Sequence, residues 1–301
     1  MQTTNSNHVA RGAVLTILGG ICWGFSGSCG QYLFTYHGVE SDWLTCVRML
    51  SAGVLLILLG LLKDRSKLIG MLKSPQDMKQ LLVFSIVGLV FCQYTYLMAI
   101  QYTNAGTATV LQYTGPVMIL LVTCLMARRL PKRREIVAIC LAVGGTFLLA
   151  THGDIHNMVL TPRGLAWGLV SAVALACYTM IPIRIIQKWG SIVVIGCGMF
   201  IGGVVFSLFT GFWTMQVQLA PSGVLALVAI LLVGTVFAYT AYSQGVAEIG
   251  AVRGSMLCSI EPVSAMLISG LWLKTAFTWI DVLGSACIIA TILLLAKKEE
   301  A

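Results

Sequence analysis

Residues 81–100 read LLVFSIVGLVFCQYTYLMAI, and residues 227–246 read LVAILLVGTVFAYTAYSQGV. Each is an unbroken apolar run of about 20 residues, enough to cross a hydrocarbon core of roughly 30 Å as a helix rising 1.5 Å per residue. The two runs also match each other. Laying residues 81–150 on residues 227–296 without a gap pairs Gly88 with Gly234, Phe91 with Phe237 and Tyr96 with Tyr242. Ala105 then falls on Ala251, Leu111 on Leu257, and Pro116-Val117 on Pro262-Val263. About fifteen of seventy positions are identical, where an apolar composition of this kind gives roughly five or six by chance. A second register pairs Gly12 with Gly164 and Gly24 with Ala176. The chain is therefore read as two copies of one unit, residues 1–150 and 151–301, the second having lost about six residues.

Composition supports the reading of the runs. Of the 301 residues, 58% are hydrophobic and only 10% are charged, a balance that a soluble globular chain does not have. Runs of this length point to helices, since barrel strands would be short and alternating. Ten spans are expected, at roughly 12–34, 42–62, 80–100, 104–127, 134–150, 164–186, 191–213, 222–246, 250–272 and 277–296. The fold class is thus an all-α polytopic membrane protein. The first run is too long for the core of a signal peptide. The ten cysteines all lie within apolar runs and none forms a C-x-x-C pair, so neither a disulfide framework nor a metal site is expected.

The net charge of +8 is placed by the loops. Lys63, Arg65, Lys67, Lys73 and Lys79 follow span 2, and Arg128, Arg129, Lys132, Arg133 and Arg134 follow span 4. Arg184 and Lys188 follow span 6, and Lys297 and Lys298 follow span 10. Basic residues collect on the cytoplasmic face, so both termini are expected inside, with the lipid bilayer and not nucleic acid as the charged partner. Five spans per copy is an odd number, so the copies should be inverted. Residues 128–134 carry five basic side chains and their equivalents, 274–280, carry one, as expected for loops on opposite faces. Inverted repeats of this kind build secondary transporters, with the substrate between the halves.

Charge inside a membrane is costly and usually functional. Arg48 and Glu261 are the charges well inside a span, Glu261 near the midplane beside Pro262 and Arg48 closer to the outer surface. Proline disturbs the carbonyl four residues earlier, so Pro116 and Pro262 predict matched helix breaks that release Gln112 and Cys258. Gly115 occupies the place of Glu261 in the first copy. Glu261 is expected to take a cationic group or a coupling proton. Arg48 is expected to snorkel, brace Asp42 or meet a substrate carboxylate. The candidate binding set is Trp23 and Ser26 in span 1, Tyr94 and Tyr96 in span 3, and Gln112 and Tyr113 in span 4. It continues with Tyr178 in span 6, Tyr239 and Tyr242 in span 8, and Ser259 and Glu261 in span 9. Gln93, Thr114, Thr179, Ser243, Gln244 and Ser255 add to this polar lining, and aromatic rings can hold a cation. Glycines four apart, Gly20/Gly24, Gly198/Gly202 and Gly250/Gly254, either pack the bundle or form a homodimer face. His152 and His156 read as a solvated linker rather than a metal site.

Trp23-Gly24, Arg48, Thr114-Gly115-Pro116-Val117, Gly144-Gly145 and Ile260-Glu261-Pro262-Val263 stand in repeat register. With them the chain resembles the drug/metabolite transporter superfamily, and within it the EamA-type ten-helix permeases. Where that family often has Gly-Glu after spans 4 and 9, this chain has Ala127-Arg128 and Leu273-Lys274. The resemblance implies a ten-helix carrier that moves a small metabolite by alternating access, with spans 1, 3, 4, 6, 8 and 9 around the cavity and 5 and 10 outside. The function expected is a secondary transporter for an amino acid, amine or related compound, working in efflux, multi-pass in the cell membrane and without a cofactor. The alternatives are a carrier for a nucleotide sugar or sugar phosphate, which needs deep cationic clamps, and an intramembrane enzyme, which needs paired acid and base groups.

Overall fold

The computed structural model describes residues 2–154, 158–249, 254 and 257–296. Gly250, Ser255, His156, Lys297 and Lys298, and the side chain of Ser243, lie outside the described residues. Among the described residues all regular structure is helical. Helices α1 (Gln2–His37) and α2 (Ser41–Leu72) are followed by α3 (Pro75–Tyr102) and α4 (Ala105–Met126). Then come α5 (Arg133–Thr151), α6 (Pro162–Met180) and α7 (Ser191–Thr210). The rod α8 runs through Pro221–Leu231, Leu232–Phe237 and Ala238–Ile249, and α9 (Ile260–Trp272) and α10 (Trp279–Ala296) close the order. Eight of these helices, α1 to α8, are long and apolar enough to cross a membrane, and α9 and α10 are shorter apolar helices. The expected connector at 63–79 is largely helix, because α2 continues to Leu72 past a kink at Asp64 (φ −143°, ψ 48°).

Local chemistry explains the ends. Proline occupies the first turn of α3, α6 and the first segment of α8, where its missing N–H costs nothing. The Asn104 side chain accepts from Thr107 N at 2.8 Å to start α4, and Thr161 Oγ1 accepts from Gly164 N at 3.1 Å to start α6. Glu135 reaches back to Lys132 N at 2.7 Å and pairs with Arg129 at 2.8 Å, fixing the start of α5. Arg128 (φ 49°) and Lys274 (φ 55°) are equivalent in the two copies, and both terminate a helix in the left-handed region that favours glycine.

Two backbone features had no expectation. Phe84–Val90 in α3 and Leu232–Phe237 in α8 are π-helical, and the two stretches overlap when the copies are laid together. Such π turns interrupt helices most often at functional places.

Small residues let these rods approach, since lipid gives no hydrophobic drive between helices. A Cβ on Gly24 would fall 2.8 Å from Glu261 O, and one on Gly20 2.8 Å from Ile260, so α1 lies directly on α9. Gly198 meets Leu89 and Gly202 meets Ser85 O, so this glycine pair packs within the bundle, α7 against α3. Met49, Leu56, Phe84, Leu89, Val194 and Met199 form one buried cluster where α2, α3 and α7 meet. Leu33, Leu44, Tyr96, Ile100, Ala226 and Ile230 form another between α1, α2, α3 and α8.

At the periphery α5 and α10 cross at Gly145 and Gly284, where a Cβ on Gly145 would sit 2.6 Å from Gly284 O. Gly144, its neighbour, faces open space. Gly145→Val is expected to lower stability by about 1–3 kcal/mol through overpacking, read as a lower melting temperature in detergent. Gly144→Val should melt as the native protein does; equal melting of both variants would refute the close crossing.

Candidate functional site

Seven helices of the bundle converge on one cavity of about 620 Å³, counting the space open to solvent. Trp23, Ser26 and Gly27 of α1, Arg48 of α2, and Leu89, Cys92, Gln93 and Tyr96 of α3 line one part of its wall. Gln112 of α4, Leu175 and Tyr178 of α6, Tyr239 of α8 and Glu261 of α9 complete it. Helices α5, α7 and α10 contribute no residue to this lining.

Glu261 owes its position to the helix break around it. The helix is interrupted at Ser259 and resumes at Ile260, with Pro262 in the first turn of α9. The carbonyl of Cys258, four residues before Pro262, lies 3.0 Å from the Tyr113 hydroxyl. That hydroxyl is also 2.8 Å from Glu261 Oε2, and it donates to one of the two acceptors at a time. The matching break in the first copy separates Gln112 from Gly115, and Pro116 follows it. A Cβ on Gly115 would meet Ala172 O at 3.0 Å and Leu175 at 3.1 Å, so α6 leaves no room for a carboxylate there. The charge asymmetry between the copies is thus a packing asymmetry as well.

Arg48 is 6% exposed and lines the cavity that Glu261 lines. Its Nε donates to Thr235 Oγ1 at 3.3 Å, and Thr235 donates across the π turn to Ile230 O at 2.9 Å. The extra residue in that turn presents the Thr235 hydroxyl to the guanidinium. Among the described residues neither Arg48 nor Glu261 forms an ion pair. Two opposite charges therefore share one cavity, each held by a neutral hydroxyl.

The remaining predicted residues divide. Trp23 stands 5.2 Å from Tyr239 and 5.0 Å from Tyr242, ring centre to ring centre, so Tyr242 backs an aromatic wall without lining the cavity. Tyr96 donates to Thr109 Oγ1 at 2.7 Å, because the Thr109 proton is used on Ala105 O at 2.7 Å. Gln112 Nε2 approaches Cys92 Sγ at 3.8 Å. The Ser26 hydroxyl is buried in the lining with no partner among the described residues, and a group left so has the most to gain from a ligand. Tyr94 is elsewhere, edge-on to Trp167 at 5.8 Å and tilted against Phe206 at 5.1 Å, ring centre to ring centre. Ser259 is buried before α9 and outside the lining. Thr114 bonds Leu111 O at 2.8 Å and Thr179 is exposed. His152 is more than linker: its Nε2 lies 2.8 Å from Asp281 Oδ1, joining the ends of α5 and α10. Cys92, Leu89 and Leu175 enter the lining unforeseen, for an apolar side chain facing a cavity reads like one facing lipid.

Eight helices long and apolar enough to cross a membrane define a multi-pass membrane protein. The sequence matches the EamA-like transporter family over residues 10–151 and again over 162–297, and the chain belongs to that family of membrane transporters. It is 34% identical over 286 residues to the uncharacterized inner membrane transporter YicL of Salmonella typhimurium, covering 95% of each chain. It is 26% identical over 234 residues to the uncharacterized transporter YetK of Bacillus subtilis, covering 75% of this chain and 70% of that one. A solved crystal structure shares the fold at a TM-score of 0.59 and 17% identity, over 97% of this chain and 96% of the other.

Proposed function

We infer that the protein is a secondary carrier for a small amine-bearing metabolite, amino acids foremost, and that the central cavity is its binding site. One observation carries this reading: Glu261 and Arg48 line the same cavity and neither is ion-paired among the described residues. An isolated buried charge is costly, and a solute with an ammonium and a carboxylate offsets both costs at once. In this reading the ammonium goes to Glu261 and the carboxylate to Arg48. The Trp23–Tyr239 wall flanks the cation, and Ser26 supplies a free hydroxyl. A sugar phosphate would call for several cations, whereas among the described residues Arg48 is the one cation in the lining.

Residues 1–150 and 151–301 act as inverted units that rock about this site, with both termini cytoplasmic and the protein in the inner membrane, as the name of the Salmonella relative supports. Efflux is the direction we assign. The test uses purified protein, first by thermal shift and then by flux in liposomes. Amino acids should raise the melting temperature more than amines or acids of matched side chain. Absence of flux for every amino acid and organic cation, with and without a pH gradient, would sink the reading.

A further inference from the structure

Asp77 is a carboxylate in the first turn of α3, at the loop end of the molecule, yet its side chain is only 1% exposed. Its Oδ2 takes three donors: Ser74 Oγ at 2.8 Å, Lys188 Nζ at 2.6 Å and Trp189 Nε1 at 3.1 Å. Lys188 and Trp189 belong to the short helix Ile183–Trp189, which follows α6 after Ile181 and Pro182. Beside them Gln80 Nε2 donates to Ile181 O at 2.7 Å, and a Cβ on Gly70 would meet the Trp189 ring at 2.6 Å. The 70–80 segment of the first copy is thus tied to the 181–189 segment of the second. Charge-assisted bonds to a buried carboxylate are the strong kind.

The same two rods line the cavity further along, α3 through Leu89, Cys92 and Gln93, and α6 through Leu175 and Tyr178. Between latch and cavity each rod has a backbone irregularity. In α3 it is the π stretch Phe84–Val90, and in α6 the break at Ile181–Pro182. The repeat supplies a comparison. Continued back to Asp77, the first register sets it on Gly223, and the second register sets Trp189 on His37. Those counterparts also touch: a Cβ on Gly223 would lie 2.9 Å from His37 Cε1. Equivalent joints therefore exist in both copies, but Gly223 has no carboxylate, and His37 Nε2 is buried without a partner among the described residues.

We propose that the Asp77–Lys188–Trp189 contact is a gate that holds α3 and α6 together at the loop end of the cavity, and that it must open for solute to pass on that side. Asp77 and Lys188 are positioning residues of the transport cycle: they touch no solute and set which face the cavity meets. The aromatic joint at Gly223, lacking the charge, is the weaker of the two, so the resting carrier stays closed at the loop end. This rests on the cavity being the carrier's binding site, but not on what solute it takes.

Cys92, in the cavity lining, reports on the gate without any substrate. A charged, membrane-impermeant methanethiosulfonate is applied to membrane vesicles of each orientation, and peptide mass spectrometry separates Cys92 from the other cysteines. Asp77→Asn and Lys188→Ala should each speed Cys92 modification from the loop side by about tenfold, the shift expected on losing one charge-assisted bond. Lys188→Arg should keep the native rate. Lys188 is 48% exposed, so its truncation leaves no core cavity should Asp77→Asn fail to fold. An unchanged loop-side rate in Lys188→Ala would overturn the gate. So would an equal rise from both faces, which marks a loosened fold. The labelling can fail while the amino-acid reading stands, and the flux assay can fail while the gate stands.

Discussion

Glu261→Gln is expected to cut amine or amino-acid transport in liposomes by at least about thirtyfold while the protein stays folded. Glutamine keeps the shape of the side chain and its reach to the Tyr113 hydroxyl, 2.8 Å from Glu261 in the native protein. What it removes is the negative charge. A desolvated pairing with an ammonium is worth about 2–5 kcal/mol, and each 1.4 kcal/mol is about tenfold in affinity. Loss of a lone buried charge is no burden to the fold, since burying it was costly in the first place. The melting temperature should therefore hold while flux collapses. Native flux in this variant would reduce Glu261 to a bracket for the break at Cys258 and Pro262, and the substrate charge would have to be sought elsewhere.

Arg48→Gln separates the two ends of the solute. Amino-acid transport should fall by about tenfold to a hundredfold, the value of a charge-assisted bond to carboxylate, whereas the matched amine should bind as before. The comparison matters because Arg48 also bonds Thr235 at 3.3 Å. A purely structural arginine would weaken binding of both solutes alike and lower the melting temperature. Isothermal titration with an amino acid and its decarboxylated counterpart tells these apart. Equal losses would leave Arg48 as a support for the π turn of α8.

The positions of the helices were legible because span length and charge act along the chain, and both can be counted. Pro262 and Pro116 marked the breaks, since a missing donor has its effect at a known distance. Glu261 stood out because a carboxylate has no cheap place in an apolar run. What was hidden depends on neighbours distant in sequence. The place of Arg48 in the cavity wall was hidden because that wall is set by how α2 faces α8. Tyr94 looked like Tyr96, but its ring turns to Trp167 and Phe206. The contacts His152–Asp281 and Asp77–Lys188 join residues far apart in the chain, and no local pattern announces them. The π turns were also silent, because no residue type compels one.

Those turns have a consequence for any change in chain length. A π turn holds one residue more than the α-helical path it replaces, so each residue beyond it stands where an unbroken helix would place its predecessor, a rotation of roughly 100° relative to a wheel drawn by number. In α8 that rotation separates Ile230 from Tyr239, so the face that meets α1 is not the face a straight helical wheel would assign. Removing a single residue from Leu232–Phe237 would let the rod relax to an ordinary helix with nothing visibly lost. The residues beyond the turn would keep their phase, so the aromatic wall would stay against Trp23 while the Thr235 hydroxyl under Arg48 would turn aside. For this protein a one-residue deletion inside the π turn touches the turn alone, whereas the same deletion elsewhere in a span shifts the phase of all that follows.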